Sequence, residues 1–307
     1  MVNELDGTDG ARRRTGATGS DRPTVGPVTA AAELDGLPGP QVFADVRWYL
    51  DGTDGRAAFE ECHLPGAVWV DLDGDLAAHG LPSVAGRHPL PSPAAFAAAM
   101  GALGIGDDTV VVAYDDTGGL SAGRLVVMLR SIGRRATLLD GGLVAWRADG
   151  RPTQTGPAQT LPPAAFTSVP WPGSSFADAD EVAARAARPE AGRPLIDARA
   201  AERFTGEVAV IDPRPGHIPG ARNSPWNSVL GADRRLRSVD ELRSHYAALG
   251  IDVVTASSTI AYCGSGVSAC MNVLAMEHAG LTPPRLFTAS WSGWASDPDR
   301  PAALGPA

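Results

Sequence analysis

The stretch Thr259-Ile260-Ala261-Tyr262-Cys263-Gly264-Ser265-Gly266-Val267-Ser268-Ala269-Cys270 runs from a short apolar segment through a glycine-punctuated loop into a helical pattern. Ile260 to Tyr262 has the make-up of a buried parallel strand. Beyond the loop, Val267, Cys270, Met271 and Leu274 recur at i, i+3, i+4 and i+7, and Gly280 stands where that helix should close. A cysteine at the carboxyl end of a parallel strand, directly before a helix, occupies the place where open α/β sheets bind ligands. Gly264 and Gly266 let the loop curl with its N–H groups inward, with the helix amino terminus behind them. Such a cradle favours negative charge. The reading predicts that Cys263 is a reactive thiolate rather than a small core residue, and that the same loop would hold an anionic persulfide.

Working outward, the chain repeats itself. Ala261-Tyr262-Cys263 has a counterpart in Ala113-Tyr114-Asp115, which is followed by Asp116-Thr117-Gly118-Gly119-Leu120-Ser121-Ala122. Asp45-Val46-Arg47 recurs as Asp197-Ala198-Arg199, His63-Leu64-Pro65-Gly66-Ala67 as His217-Ile218-Pro219-Gly220-Ala221, and Trp146 as Trp294, in the same order and at a nearly constant offset. Four matches in register mean duplication. Each copy alternates β-branched runs with Ala-rich helical stretches such as 93–103 and 239–249, closed by Gly104 and Gly250. The fold class is therefore α/β: two tandem domains, each a parallel sheet flanked by helices. We expect a disordered tail over 1–26, a first domain over 27–152, a Pro/Gly/Thr-rich linker over 153–175 and a second domain over 176–307. Aspartate cannot carry sulfur, so the first copy is expected to be inactive, and its loop is one residue longer. The paired Asp45/Arg47 and Asp197/Arg199 are expected to be structural ion pairs, and His63 and His217 to brace Pro-Gly turns.

Composition narrows the classes. A chain of 307 residues can bury two cores, and a formal charge of −9 speaks against nucleic-acid binding. No apolar run is long enough for a bilayer, and no apolar segment follows Arg12-Arg13-Arg14, so no membrane partner or signal peptide is expected, and the location is expected to be cytoplasmic. Three cysteines, Cys62, Cys263 and Cys270, lack the spacing of a disulfide framework or zinc site, so no metal or other cofactor is expected. Because the tandem copies can satisfy each other, a monomer is expected.

These motifs resemble the tandem-domain rhodanese family, the thiosulfate and 3-mercaptopyruvate sulfurtransferases, from about Val42 to Pro301. In that family the amino-terminal domain lacks the cysteine, as Asp115 does here. The loop Cys263-Gly264-Ser265-Gly266-Val267-Ser268-Ala269 is similar to the mercaptopyruvate branch, whereas the thiosulfate branch typically has basic residues after the cysteine. The resemblance implies sulfur transfer from a small-molecule donor, through a Cys263 persulfide, to a thiol, thioredoxin or cyanide. It implies that Arg203 binds substrate and that Gly264, Gly266, Val267 and Ser268 line the donor. It also implies a Cys263–Ser265–His88–Asp73 relay, drawn from His88-Pro89-Leu90-Pro91 and Val70-Asp71-Leu72-Asp73, with His79 a weaker rival to His88. The family has a second arginine between Arg203 and His217; that segment is shorter here, and Arg214, its only arginine, is expected to bind substrate beside Arg203. Thiosulfate:cyanide transfer is the nearest alternative. A phosphatase of related fold would need C-x5-R, but Ala269 stands at the arginine position. A non-catalytic binding module would lack the cysteine in both copies.

Overall fold

The computed structural model describes residues 25–189, 192–209 and 211–306. Most of the expected tail, residues 1–24, lies outside them. The first sheet has strands β1 (Val28–Thr29), β2 (Gln41–Asp45), β3 (Val68–Trp69), β4 (Val110–Tyr114) and β5 (Ala136–Leu139), in the order β1-β5-β4-β2-β3 with every pair parallel. Its helices are α1 (Gly55–Glu61), α2 (Leu72–Leu76), α3 (Pro93–Ala102), α4 (Ala122–Ser131) and α5 (Gly142–Ala148). The second sheet, β6 (Phe176–Ala177), β7 (Leu195–Asp197), β8 (Arg222–Asn223), β9 (Ile260–Tyr262) and β10 (Arg285–Phe287), has the corresponding order β6-β10-β9-β7-β8, again all parallel. It carries α6 (Ala179–Ala187), α7 (Ala201–Thr205), α8 (Val239–Ala248), α9 (Cys270–His278) and α10 (Ser290–Ser296).

The central strands β4 and β9 are buried along their whole length, which is why they read as unbroken apolar runs. Repeated motifs make repeated contacts. Arg47 pairs with Asp45 and Arg199 with Asp197, each pair buried. His63 and His217 donate from Nδ1 to the carbonyls of Phe59 and Phe204 and stack on those rings. Trp146 and Trp294 each donate to a proline carbonyl, Pro152 and Pro301. The two domains share one apolar core through α4 and α9, where Gly123 lets the Met271, Cys270 and Leu274 side chains approach. That packing turns the loops after β4 and β9 toward the same seam.

Candidate active site

Cys263 follows β9 directly, and α9 begins at Cys270, slightly later than the apolar spacing suggested, because Val267 belongs to the intervening turn. The Gly266 amide donates to Cys263 Sγ at 3.1 Å, and the Cys263 amide donates to Ser290 Oγ at 3.1 Å. Ser290 is held in the left-handed region, φ 53°, where a non-glycine residue is disfavoured. Its counterpart Gly142 has φ 54°. The strained serine therefore keeps a hydroxyl that glycine could not supply. Val267 is buried beside the loop and Ser268 is half-buried.

The first copy shows what this loop type binds. The buried Asp115 carboxylate fills its own cradle: Oδ1 accepts from the amides of Thr117, Gly118 and Gly119 at 2.9, 3.0 and 2.8 Å and from Thr117 Oγ1 at 3.0 Å. Oδ2 accepts from the amides of Ser121 and Ala122 at 2.9 and 3.0 Å and from Ser121 Oγ at 3.1 Å. Carboxylate oxygens lie two bonds beyond Cβ, as the outer sulfur of a cysteine persulfide does. Asp115 is thus a covalent stand-in for the anion that the Cys263 loop is shaped to hold.

His88 and Asp73 reach the second domain's loop from the first. His88 Nδ1 lies 2.8 Å from Ser265 Oγ, and His88 Nε2 lies 3.0 Å from Asp73 Oδ1. A carboxylate only accepts, so Nε2 carries the proton, and Nδ1 accepts from the serine hydroxyl. Burial pushes the imidazole down to about 4, against the pull of Asp73 and helped by the nearby Arg124 and Arg87 charges. His88 is therefore a neutral base at pH 7. Asp73 lies in the first turn of α2, its amide capped by Asp71, and Trp48 Nε1 donates to its Oδ2 at 3.0 Å while packing edge-on against the His88 ring. His79 touches only the Asp73 carbonyl, at 2.8 Å, and has no contact with Ser265.

The cleft between the domains is roofed by two guanidiniums. A Cβ on Gly264 would stand 2.9 Å from Arg203 Nη2 and 3.0 Å from Arg87 Nη2, so the space that glycine leaves empty is where both cations approach the loop. Cys263 is 1% exposed beneath them, less open than the sequence suggested. The roof itself meets solvent, with Arg87 34% and Arg203 18% exposed. Arg203 comes from α7. Arg87 comes from the 83–88 segment of the first domain, which lies on α10: Gly86 has φ 86°, a Cβ there would fall 2.5 Å from the Ala289 carbonyl oxygen, and the Arg87 amide donates to Ser292 Oγ at 3.0 Å. The bidentate face of Arg203 is taken by Asp212, with Nε–Oδ2 at 3.0 Å and Nη2–Oδ1 at 2.6 Å, and Arg87 Nη1 stands 3.9 Å from the same carboxylate.

Arg214 is not among these groups. Its guanidinium donates to the Arg300 and Asp297 carbonyls, 3.3 Å in the second case, and lies 5.9 Å from the Trp291 ring, while its own carbonyl accepts from Trp291 Nε1 at 3.1 Å. The shorter segment after Arg203 threads Arg214 along α10 instead of over the cysteine. Arg87 and Asp212, which the sequence reading passed over, stand in the cleft instead. The adjacency of Arg87 to His88 was the one signal available for the first.

Known proteins resemble this chain along most of its length. The family model for the rhodanese-like domain matches residues 30–149 and 178–297. The chain is 42% identical over 264 residues, 85% of this chain and 91% of the other, to a probable 3-mercaptopyruvate sulfurtransferase of Pseudomonas aeruginosa. It is 40% identical over 281 residues, 90% of this chain and 96% of the other, to a putative thiosulfate sulfurtransferase of Mycobacterium tuberculosis. Among solved structures, the 3-mercaptopyruvate sulfurtransferase from Leishmania major superposes with a TM-score of 0.76 at 33% identity, covering 89% of this chain and 74% of that one. The Escherichia coli 3-mercaptopyruvate sulfurtransferase structure does so with 0.73 at 30% identity, covering 87% and 99%.

Proposed function

The chain belongs to the rhodanese-like family and is a sulfurtransferase, and from that premise we propose that it moves sulfane sulfur from 3-mercaptopyruvate through a Cys263 persulfide to a thiol, thioredoxin or cyanide. The observation that carries this reading is the cross-domain chain Asp73–His88–Ser265, ending at the cysteine loop under two guanidiniums. Arg203 and Arg87 clamp the donor carboxylate, since planar guanidiniums suit bidentate pairing. The Cys263 thiolate attacks the donor sulfur, an S–S bond forms, and the C–S bond breaks with its electron pair passing into pyruvate enolate. The donor's thiol proton passes to Ser265 as Ser265 gives its own to His88 Nδ1, and His88 returns that proton to the enolate carbon. The anionic outer sulfur then lies among the loop amides of Gly264 to Ser268, as the Asp115 oxygens lie among theirs, until an acceptor thiol or cyanide attacks it and restores the Cys263 thiolate. The chain acts as a monomer in the cytoplasm, without nucleic acid or membrane partners.

Treating the protein with 3-mercaptopyruvate should add the mass of one sulfur atom to the peptide containing Cys263, and Cys263→Ser should neither load nor turn over. Turnover retained in Cys263→Ser would remove the cysteine from the mechanism. One observation favours the thiosulfate alternative: although the loop itself carries no cation, Arg87 brings a second positive charge from the other domain, and thiosulfate is a dianion. The ratio of kcat/KM for the two donors decides between them.

A further inference from the structure

The seam between the domains holds an arginine with no obvious reason to be charged. Arg124, on α4 of the first domain, is 0% exposed. Nη1 donates to the Gly266 carbonyl at 2.8 Å, and Nη2 donates to the His88 carbonyl at 2.9 Å and the Leu76 carbonyl at 3.3 Å. Its Nε is buried without a hydrogen-bond partner, and among the described residues no carboxylate stands within ion-pair distance of it. Breaking even an existing buried pair is costly, so a guanidinium buried with carbonyls alone requires an explanation.

Among the described residues, the side chains whose negative charge would favour that of Arg124 are Cys270 and Cys263. Burial pushes the Cys270 thiol up to about 12, so Cys270 remains neutral at pH 7. Cys263 is tied to Arg124 by geometry: Gly266 gives its amide to Cys263 Sγ and its carbonyl to Arg124 Nη1. The duplication sharpens the point. Ser121-Ala122-Gly123-Arg124 aligns with Ser268-Ala269-Cys270-Met271, and Gly119 aligns with Gly266. The two helices reach across reciprocally: Arg124 Nη1 lies 3.1 Å from where a Cβ on Gly266 would be, and Met271 Sδ lies 2.5 Å from where a Cβ on Gly119 would be. The loop that already contains a carboxylate receives a neutral thioether from its neighbour, and the loop that must hold a transient anion receives a cation.

We propose that Arg124 is a positioning residue for sulfur transfer, supplying an uncompensated positive charge beneath the Cys263 loop and tying the Gly266 and His88 carbonyls to one another. The inference rests on the assignment of Cys263 as the sulfur carrier. Arg124 does not touch the donor, so its loss should slow chemistry without weakening donor binding.

The test compares wild type, Arg124→Met and Arg124→Lys by single-turnover loading of Cys263 with 3-mercaptopyruvate or thiosulfate, followed by mass spectrometry, with steady-state kinetics alongside. Arg124→Met should load about tenfold more slowly or worse, with kcat lowered and KM within about twofold of wild type. Its melting temperature should change little, because removing a buried unpaired charge offsets the cost of leaving the Gly266, His88 and Leu76 carbonyls without a donor. Arg124→Lys, which keeps the charge but not the planar fork, should recover most of the loading rate. If Arg124→Met does not fold, Arg124→Gln is read in its place with the same expectation for loading. Wild type that takes up sulfur from neither donor overturns the carrier assignment and this inference with it. Wild type that loads while the neutral variant loads equally fast overturns the inference alone, as does a lysine variant as slow as the neutral one.

Discussion

The Asp115 cradle offers a direct measurement of how strongly this loop type holds an anion, at a loop that carries no cysteine. Asp115→Ala removes the acceptor of five main-chain amides and two hydroxyls at a site that is 1% exposed. Each buried donor left without a partner costs about 1–3 kcal/mol, but the hydroxyls can rotate to new partners, water can enter, and the desolvation cost of the carboxylate is recovered. A net loss of about 3–5 kcal/mol follows. At roughly 2–4 °C per kcal/mol for domains of 150–250 residues, the melting temperature should fall on the order of 10 °C. The empty cradle should then accept an anion from solution. Sulfate at about a hundred times its dissociation constant would restore about 2.7 kcal/mol through mass action. Sulfate also stabilises folded proteins generally, so the informative quantity is the rise in melting temperature of Asp115→Ala beyond that of wild type over the same titration. Asp115→Ala that melts with wild type and shows no excess response to sulfate would mean that these amides are not an anion site. The argument for the equivalent loop at Cys263 would then lose its support.

Three further outcomes follow from the second copy. Ser290→Gly should leave stability within about 1 kcal/mol of wild type, since relief of the left-handed serine and loss of its bond to the Cys263 amide are of similar size, yet should lower kcat; an unchanged kcat with normal folding would show that the serine does not orient the cysteine. Asp212→Asn should lower KM for 3-mercaptopyruvate several-fold with kcat nearly unchanged, because the Asp212 carboxylate sits on the face of Arg203 that a donor carboxylate needs; a raised KM in steady-state assays would show that Asp212 aims the arginines instead of competing. The His88 ring should titrate near 4 by NMR, and its contribution to stability should be intact above the unfolded-state value of 6.5, erode as pH falls from there to about 4 and be gone below, since the unfolded chain binds the proton first; a midpoint near 6.5 would show that burial in the seam does not disfavour the charged ring.

What could be read from the sequence was what the chain encodes locally. A strand, two glycines, a cysteine and a helix start are consecutive in the chain, so the loop at Cys263 could be recognised before anything was folded, and the repeated Asp–x–Arg and His–x–Pro–Gly–Ala segments reported the two equivalent sheets. The cleft was less legible because it is assembled across the seam. Arg87 reaches the Cys263 loop only because the 83–88 segment lies on α10, and Arg124 reaches that loop and the His88 carbonyl only because α4 packs on α9; no spacing in one dimension records either fact. Arg214 illustrates the converse error: it has the right residue type in the right segment, but Trp291 and the carbonyls at the end of α10 take its side chain.

Duplication explains why the remaining charges fall where they do. Two copies of one loop, facing each other across α4 and α9, initially offer each other identical neighbours, so function at one loop requires that the copies diverge in pairs. A carboxylate built into the first loop satisfies its amides permanently, and a cation facing it from α9 would only trap charge there; Met271 avoids that. The second loop must be empty of covalent anion to turn over, and an empty cradle of amides with no charge nearby would hold a transient sulfur anion only through dipoles. Arg124 adds the missing monopole from the inactive domain. In the proposed mechanism the first domain is therefore not a passive half of the cleft. It would supply the base, the carboxylate that orients it, one roof arginine and the buried cation, while the second would supply the sulfur carrier and the amides. Separating the domains should leave Cys263 in place and yet abolish its loading, even if the second domain folds alone.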